Sequence, residues 1–183
     1  MMRPAKVGDE AVADALVAAF RRDGYAGAAI SDLCAATGLK SASLYHRFPR
    51  GKADMALAAL ARAAEGFEGA VLFPLEGKGE PAARLGKSAA GLRRFYAGGR
   101  LGCLLAVFAA SEAPEPVRNA VAAALARWRR ALGALLAEAG ADMPEEEAED
   151  RIAAVHGALV LARGTGSTAA FRRAVSRMER LPP

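Results

Sequence analysis

Residues 30–52 read ISDLCAATGLKSASLYHRFPRGK. Ile30, Leu33 and Cys34 mark the inward face of a short helix over residues 30–37, Gly38 supplies a tight turn, and Leu39 plugs it. A second short helix spans 41–47. Pro49 cannot extend it, and Phe48 anchors its end in the core. Two short helices across a glycine turn present the second one to the major groove of duplex DNA. Between Lys40 and Lys52 there is no acidic residue, while Lys40, Arg47, Arg50 and Lys52 are basic. The stretch therefore points to nucleic-acid binding.

The rest of the chain reads as helix throughout. Of its 183 residues 53% are hydrophobic and only 6% aromatic, with abundant alanine and few alternating β-branched residues. Before the opening stretch, Val12, Leu16 and Phe20 form a stripe over 9–23 that Gly24 ends as a left-handed cap, with Tyr25 packing behind it. After it, a fourth helix from Gly51 or Lys52 carries Leu57, Leu60, Ala64 and Phe67. Gly66, Gly69 and the run 73–81 predict a kink and a loop there. A fifth helix from Pro81 carries Leu85, Ala89, Leu92 and Tyr96 up to Gly98-Gly99, and a short apolar helix covers 101–111. The strongest periodicity lies over 117–139, through Val121, Leu125, Trp128, Leu132 and Leu135. Residues 142–145 resemble a capping box for an eighth helix (Ile152, Val155, Leu159, Ala162). Ser167 is placed to cap a ninth, lined by Phe171, Val175 and Met178.

The expected fold is thus all-α with about nine helices. Residues 1–52 form a helix-turn-helix DNA-binding domain, helix four (52–70) connects, and 53–183 form a second helical domain.

A net charge of +5 fits an anionic partner as well as it fits a generally basic protein. Cys34 and Cys103 stand far apart with no metal-ligand spacing, so free thiols in a reducing compartment are expected, with no metal and no cofactor. The N-terminus shows no signal peptide, and the longest apolar run, 101–110, is about half of a membrane span. A cytoplasmic protein without membrane association is expected. His46 and His156 are the only histidines, and no catalytic triad, HExxH or phosphate loop occurs, which argues against an enzyme. A helical interaction or scaffold protein without sequence-specific DNA binding is the alternative.

Several phrases carry a resemblance. Phe20, Gly24 and Tyr25 close helix one; Ala35-Ala-Thr-Gly-Leu39 ends helix two; Leu44-Tyr45-His46-Arg47-Phe48 ends helix three; Lys52 opens helix four. Over roughly residues 9–60 the chain resembles the TetR family of bacterial transcriptional regulators. The phrase LYHRFPRGKADM is similar to the LmrA/YxaF-type branch, and 102–105 and 158–163 less specifically so. The resemblance implies a homodimeric regulator, most simply a repressor, with one helix-turn-helix per operator half-site and an inducer cavity in the C-terminal half.

Site residues follow. Lys52, at the positive end of helix four, is a candidate phosphate contact. Tyr45 and His46 are candidate backbone contacts, or else a packing residue and a solvated one. Lys40, Ser41, Ala42 and Ser43 are candidates for reading bases, Lys40 at guanine and Ala42 at a thymine methyl. Ser31 joins the DNA-facing set where the family often has a basic residue, and Ala28 replaces a common threonine. With lysine at position 40, Ser41 is expected to take over the cap and shift the helix start by one residue. For the inducer, Phe95, Tyr96, Cys103, Phe108, Trp128 and His156 are candidate contacts, each also readable as plain core. Few charges fall inside these stripes, which favours an apolar or aromatic ligand. The clusters 93–94, 127–130 and 172–173 are expected to be solvated faces, and the last two helices to form the dimer interface, with Gly157 permitting close approach.

Overall fold

A computed structural model describes residues 8–182, and these contain helices and no strand. We number the helices α1 (Asp9–Gly27), α2 (Ile30–Thr37), α3 (Ser41–Arg47), α4 (Lys52–Phe67), α5 (Pro81–Phe95), α6 (Leu104–Ala109), α7 (Glu115–Glu138), α8 (Pro144–Thr165) and α9 (Ala169–Met178).

Two apolar cores organise them. The first gathers Val12, Leu16 and Phe20 of α1, Leu33 of α2, Leu44 of α3 and Met55 of α4. It also takes in Leu104, Phe108, Val117 and Val121, so the helix-turn-helix unit is closed by residues from α6 and α7. Phe108 meets Phe20 edge-on at 5.3 Å between ring centres and Tyr25 at 6.1 Å. The second core lies among the helices after α4, with Leu85, Leu92, Trp128, Leu132, Val155 and Phe171 among its members.

Four local expectations are corrected. Gly24 does break α1, with φ 72° and ψ 178°, but one more helical turn follows to Gly27. The region after Phe67 is no loop. α4 runs into a π-helical turn (Glu68–Leu72) and a last turn (Phe73–Glu76) before the chain reverses. The helix survives its glycines and Pro74 because Val71, Leu72 and Leu75 are buried in the second core. Arg84 of α5, itself buried, donates to the Leu75 carbonyl and to Glu138 of α7, which fixes the end of this segment. Lastly, Lys40 itself is the cap position of α3, which begins at Ser41 with no side-chain cap. α8 likewise starts at Pro144 without one, while Ser167 Oγ accepts from the Ala169 N–H at 3.4 Å.

Candidate DNA-reading surface and ligand cavity

Local chemistry sets up the α2–α3 turn. The buried Thr37 hydroxyl donates to the Leu33 carbonyl at 2.7 Å, closing α2, and Gly38 takes the left-handed conformation that the turn requires. Leu44 is fully buried, so α3 has one face in the core and the other outward. Ser31, Lys40, Ser41, Ala42, Ser43, Tyr45 and His46 are all exposed on this side of the molecule. Tyr45 is 44% exposed, which removes the packing alternative for it; its ring lies over Gly51.

The basic residues of the stretch divide. Arg47 pairs with Asp9 at 2.8 Å and Arg50 with Asp54 at 2.7 Å, so both are partly neutralised. Lys40 has no ion-pair partner among the described residues. Lys52 is half-buried: its Nζ donates to the Ala26 carbonyl at 3.3 Å and sits 4.9 Å above the Tyr25 ring. Burial holds its pKa below the ordinary lysine value. It therefore ties the end of α1 to the start of α4, a role its motif position did not reveal.

Behind this surface is a cavity of about 260 Å³. Leu57, Leu60, Ala64 and Phe67 of α4 form one wall, and Leu72, Phe95, Leu105 and Ala124 much of the rest. Of the expected contacts, Phe95, Tyr96 and Cys103 line it. The other three do not. Phe108 is spent in the first core against Phe20. Trp128 stands behind Phe67, with ring centres 4.9 Å apart. His156 packs edge-on against Trp128 at 5.6 Å and faces a shallower groove that Cys103 also borders.

Arg21, Glu68 and Arg127 also line the cavity and were not foreseen. Arg127 is only part-exposed and pairs with Glu68, and Arg93 pairs with Glu179. Arg21 reaches in from α1 and lies 5.4 Å from the Phe95 ring centre. The Arg21-Arg22 pair drew no reading in the sequence, and only the break at Gly24 hints that the end of α1 turns inward.

Tyr96 donates its hydroxyl to Cys103 Sγ at 3.4 Å, and burial raises its pKa well above the ordinary tyrosine value. Burial pushes the Cys103 thiol up, but His156, Tyr96 and the Ala106 backbone outweigh that, and the net direction is down. Cys103 thus does have an imidazole neighbour, contrary to its isolated look in sequence.

α8 carries an outward apolar stripe. Val160 is 65% exposed and Leu161 55%, beside the exposed Ala153, Ala154 and Gly157. A Cβ on Gly157 would meet nothing within 4 Å, so no packing inside the protomer demands a glycine there.

Comparison with known families agrees with both halves of this architecture. Residues 12–59 match the family described as bacterial regulatory proteins, tetR family. Residues 87–177 match the C-terminal domain described as transcriptional regulator, LmrA/YxaF-like. The chain belongs to the TetR family.

It is a DNA-binding transcriptional regulator of the LmrA/YxaF-like branch, and the family is not one of enzymes. Solved structures of TetR regulators share the fold over almost the whole chain. One from Chloroflexus aurantiacus is 28% identical, with 93% of this chain and 91% of that one covered and a TM-score of 0.78. Another, from Rhodobacter sphaeroides, is 25% identical, covering 96% and 98%, at a TM-score of 0.79. A cysteine-substituted CifR solved with a 26-base-pair operator is 24% identical, covers 99% and 100%, and has a TM-score of 0.79. No curated protein matches the chain. Among the described residues no helix is long and apolar enough to cross a membrane, and no cluster of ligating side chains could hold a metal ion.

Proposed function

We propose that this TetR-family protein is a cytoplasmic homodimeric repressor that binds a palindromic operator and releases it when a small, largely apolar molecule fills the cavity beside α4. The observation that carries the reading is the double duty of α4. Lys52 stands at its DNA end, and Leu57, Leu60 and Phe67 line the cavity farther along. Fifteen residues of helix separate Lys52 from Phe67, a lever of roughly 22 Å. A ligand that displaces one end of such a rod must move the other, because packed helices shift as units.

In this reading residues 1–52 form the DNA-reading unit and α4 connects it to the remainder. Leu104, Phe108, Ala113, Val117 and Val121 belong to the first core as well, so the division by sequence is not a division by packing. Lys40, Ser41, Ala42 and Ser43 read bases, Tyr45 and His46 contact the backbone, and Ser31 sits beside it. The apolar stripe of α8, with α9, supports pairing through the last two helices.

Phosphate and base contacts are separable by salt. Lys52→Ala should weaken binding to every duplex and reduce the slope of log K against log salt by about one unit. Lys40→Ala should change the preferred sequence by about 1–3 kcal/mol at one base pair and leave non-specific affinity nearly intact. Fluorescence anisotropy over a salt series reads both. Equal slopes for wild type and Lys52→Ala would confine Lys52 to its structural tie with Ala26.

A further inference from the structure

The cavity beside α4 contains one charge with nothing to answer it. Among the groups lining it, Arg127 and Glu68 neutralise each other, and Arg127 also approaches Glu76 at 3.7 Å. The Tyr96 hydroxyl is committed to Cys103 Sγ. Arg21 has no carboxylate partner among the described residues, and its Nε is buried without any hydrogen-bond partner. Its contact with the Phe95 ring holds the guanidinium in place, and among the described residues no acceptor meets its N–H donors. Burial lowers its pKa, but a guanidinium stays protonated at neutral pH. A half-buried cation whose Nε is cut off from water and from any acceptor gains from an anion supplied to it.

Resting on the reading of this cavity as the inducer site, we infer that the effector is an apolar monoanion whose carboxylate is bound by Arg21. A single planar fork of donors matches one carboxylate. With Arg127 already neutralised by Glu68, the described residues that line the cavity offer no second free cation for a phosphate-like dianion. Leu57, Leu60, Phe67, Leu72 and Leu105 offer the body of the ligand only apolar surface. A cavity of about 260 Å³ exceeds the ~150 Å³ that accepts benzene, so one or two rings or a medium-length chain fit. This revises the preference of the sequence for an apolar or aromatic ligand over a charged one.

The position of Arg21 also gives the ligand a grip on the DNA-reading unit. It is the one α1 residue among those lining the cavity, and it directly follows Phe20 of the first core. The carbonyls of Arg21 and Arg22 accept from Arg163 of α8 at 3.4 and 3.1 Å. A carboxylate anchored on Arg21, with its body against α4, joins the end of α1, the lever and the helix expected to pair the protomers. A neutral ligand would fill the cavity without holding α1.

Isothermal titration of the full-length protein at neutral pH with matched pairs tests this: 2-naphthoate against 2-naphthamide, and octanoate against octanamide. At least one carboxylate should bind ~10-fold or more tightly than its amide, as a half-buried cation without a carboxylate partner favours. Arg21→Met should erase that preference and leave amide affinity unchanged, and Arg21→Lys should retain part of it. Should Arg21→Met fail to fold, the wild-type ratio and Arg21→Lys still decide. Amides that bind as well as carboxylates would overturn the anion assignment while the cavity reading stood. An unaltered preference in Arg21→Met would remove Arg21. Binding of neither class in wild type would overturn this inference and the inducer reading together.

Discussion

Gly91→Val should lower the melting temperature by ~10 °C or more, because this glycine is where α5 touches the backbone of the π-helical turn that follows α4. A Cβ on Gly91 would lie 1.8 Å from the Ala70 carbonyl oxygen and 2.6 Å from its carbon. Neither atom can swing aside as a side-chain end could. Ala70 lies inside the π-helical turn, and Gly91 is itself buried. The helices would have to part, leaving voids among Val71, Leu72 and Leu92 in a core packed too densely to close them. Overpacking of this kind costs about 3 kcal/mol or more, and each kcal/mol is worth about 2–4 °C in a chain of this size. Gly86 on the same helix is the control. A Cβ there meets nothing within 4 Å, so Gly86→Ala should leave stability unchanged or raise it by about 0.5–1 kcal/mol. Calorimetric melting of the two variants reads the contrast, and a native melting temperature for Gly91→Val would refute the close approach.

The second large effect belongs to α8. Val160→Asp should convert the protein to monomers at micromolar concentration and weaken operator binding by ~10²-fold or more. Val160 and Leu161 are large apolar side chains left open to solvent in the protomer, continuous with Gly157 and Ala153. A carboxylate in the middle of a paired surface would be desolvated against its own copy. The loss at the operator follows from linkage: two joined half-site contacts gain an effective concentration that a monomer lacks. Val160 makes no part of either apolar core, so the folded protomer should survive with an unchanged far-ultraviolet spectrum. Sedimentation equilibrium that still shows a dimer would move the interface elsewhere.

What the sequence disclosed and what it concealed divide by range. The α2–α3 unit was legible because its signals are local: Gly38 for the left-handed turn, Leu33 and Leu44 for the buried face, Pro49 for the stop. The nine helices found among the described residues and most of their stripes were legible for the same reason. The continuation of α4 was not, because Gly66, Gly69 and Pro74 argue locally for a break. What overrides them is distant: the burial of Leu75 and the contact of Ala70 with Gly91. The cavity was half legible. Phe95, Tyr96 and Cys103 stood out as larger or polar members of apolar helices, and so did Phe108, which is taken by Phe20 on a different helix. Arg127 was expected on a solvated face and Arg21 drew no reading, and only the packing of α1 and α7 around α4 brings both to the cavity. Lys52 carried a recognisable motif position but not its bond to Ala26.

The central claim is a paired helix-turn-helix that reads a symmetric site, and enrichment of random duplex DNA by the full-length protein tests it most directly. The account predicts a two-fold symmetric consensus whose half-sites are spaced by about one helical turn or a multiple of it. An enriched sequence without two-fold symmetry, or no enrichment above non-specific binding, would contradict it.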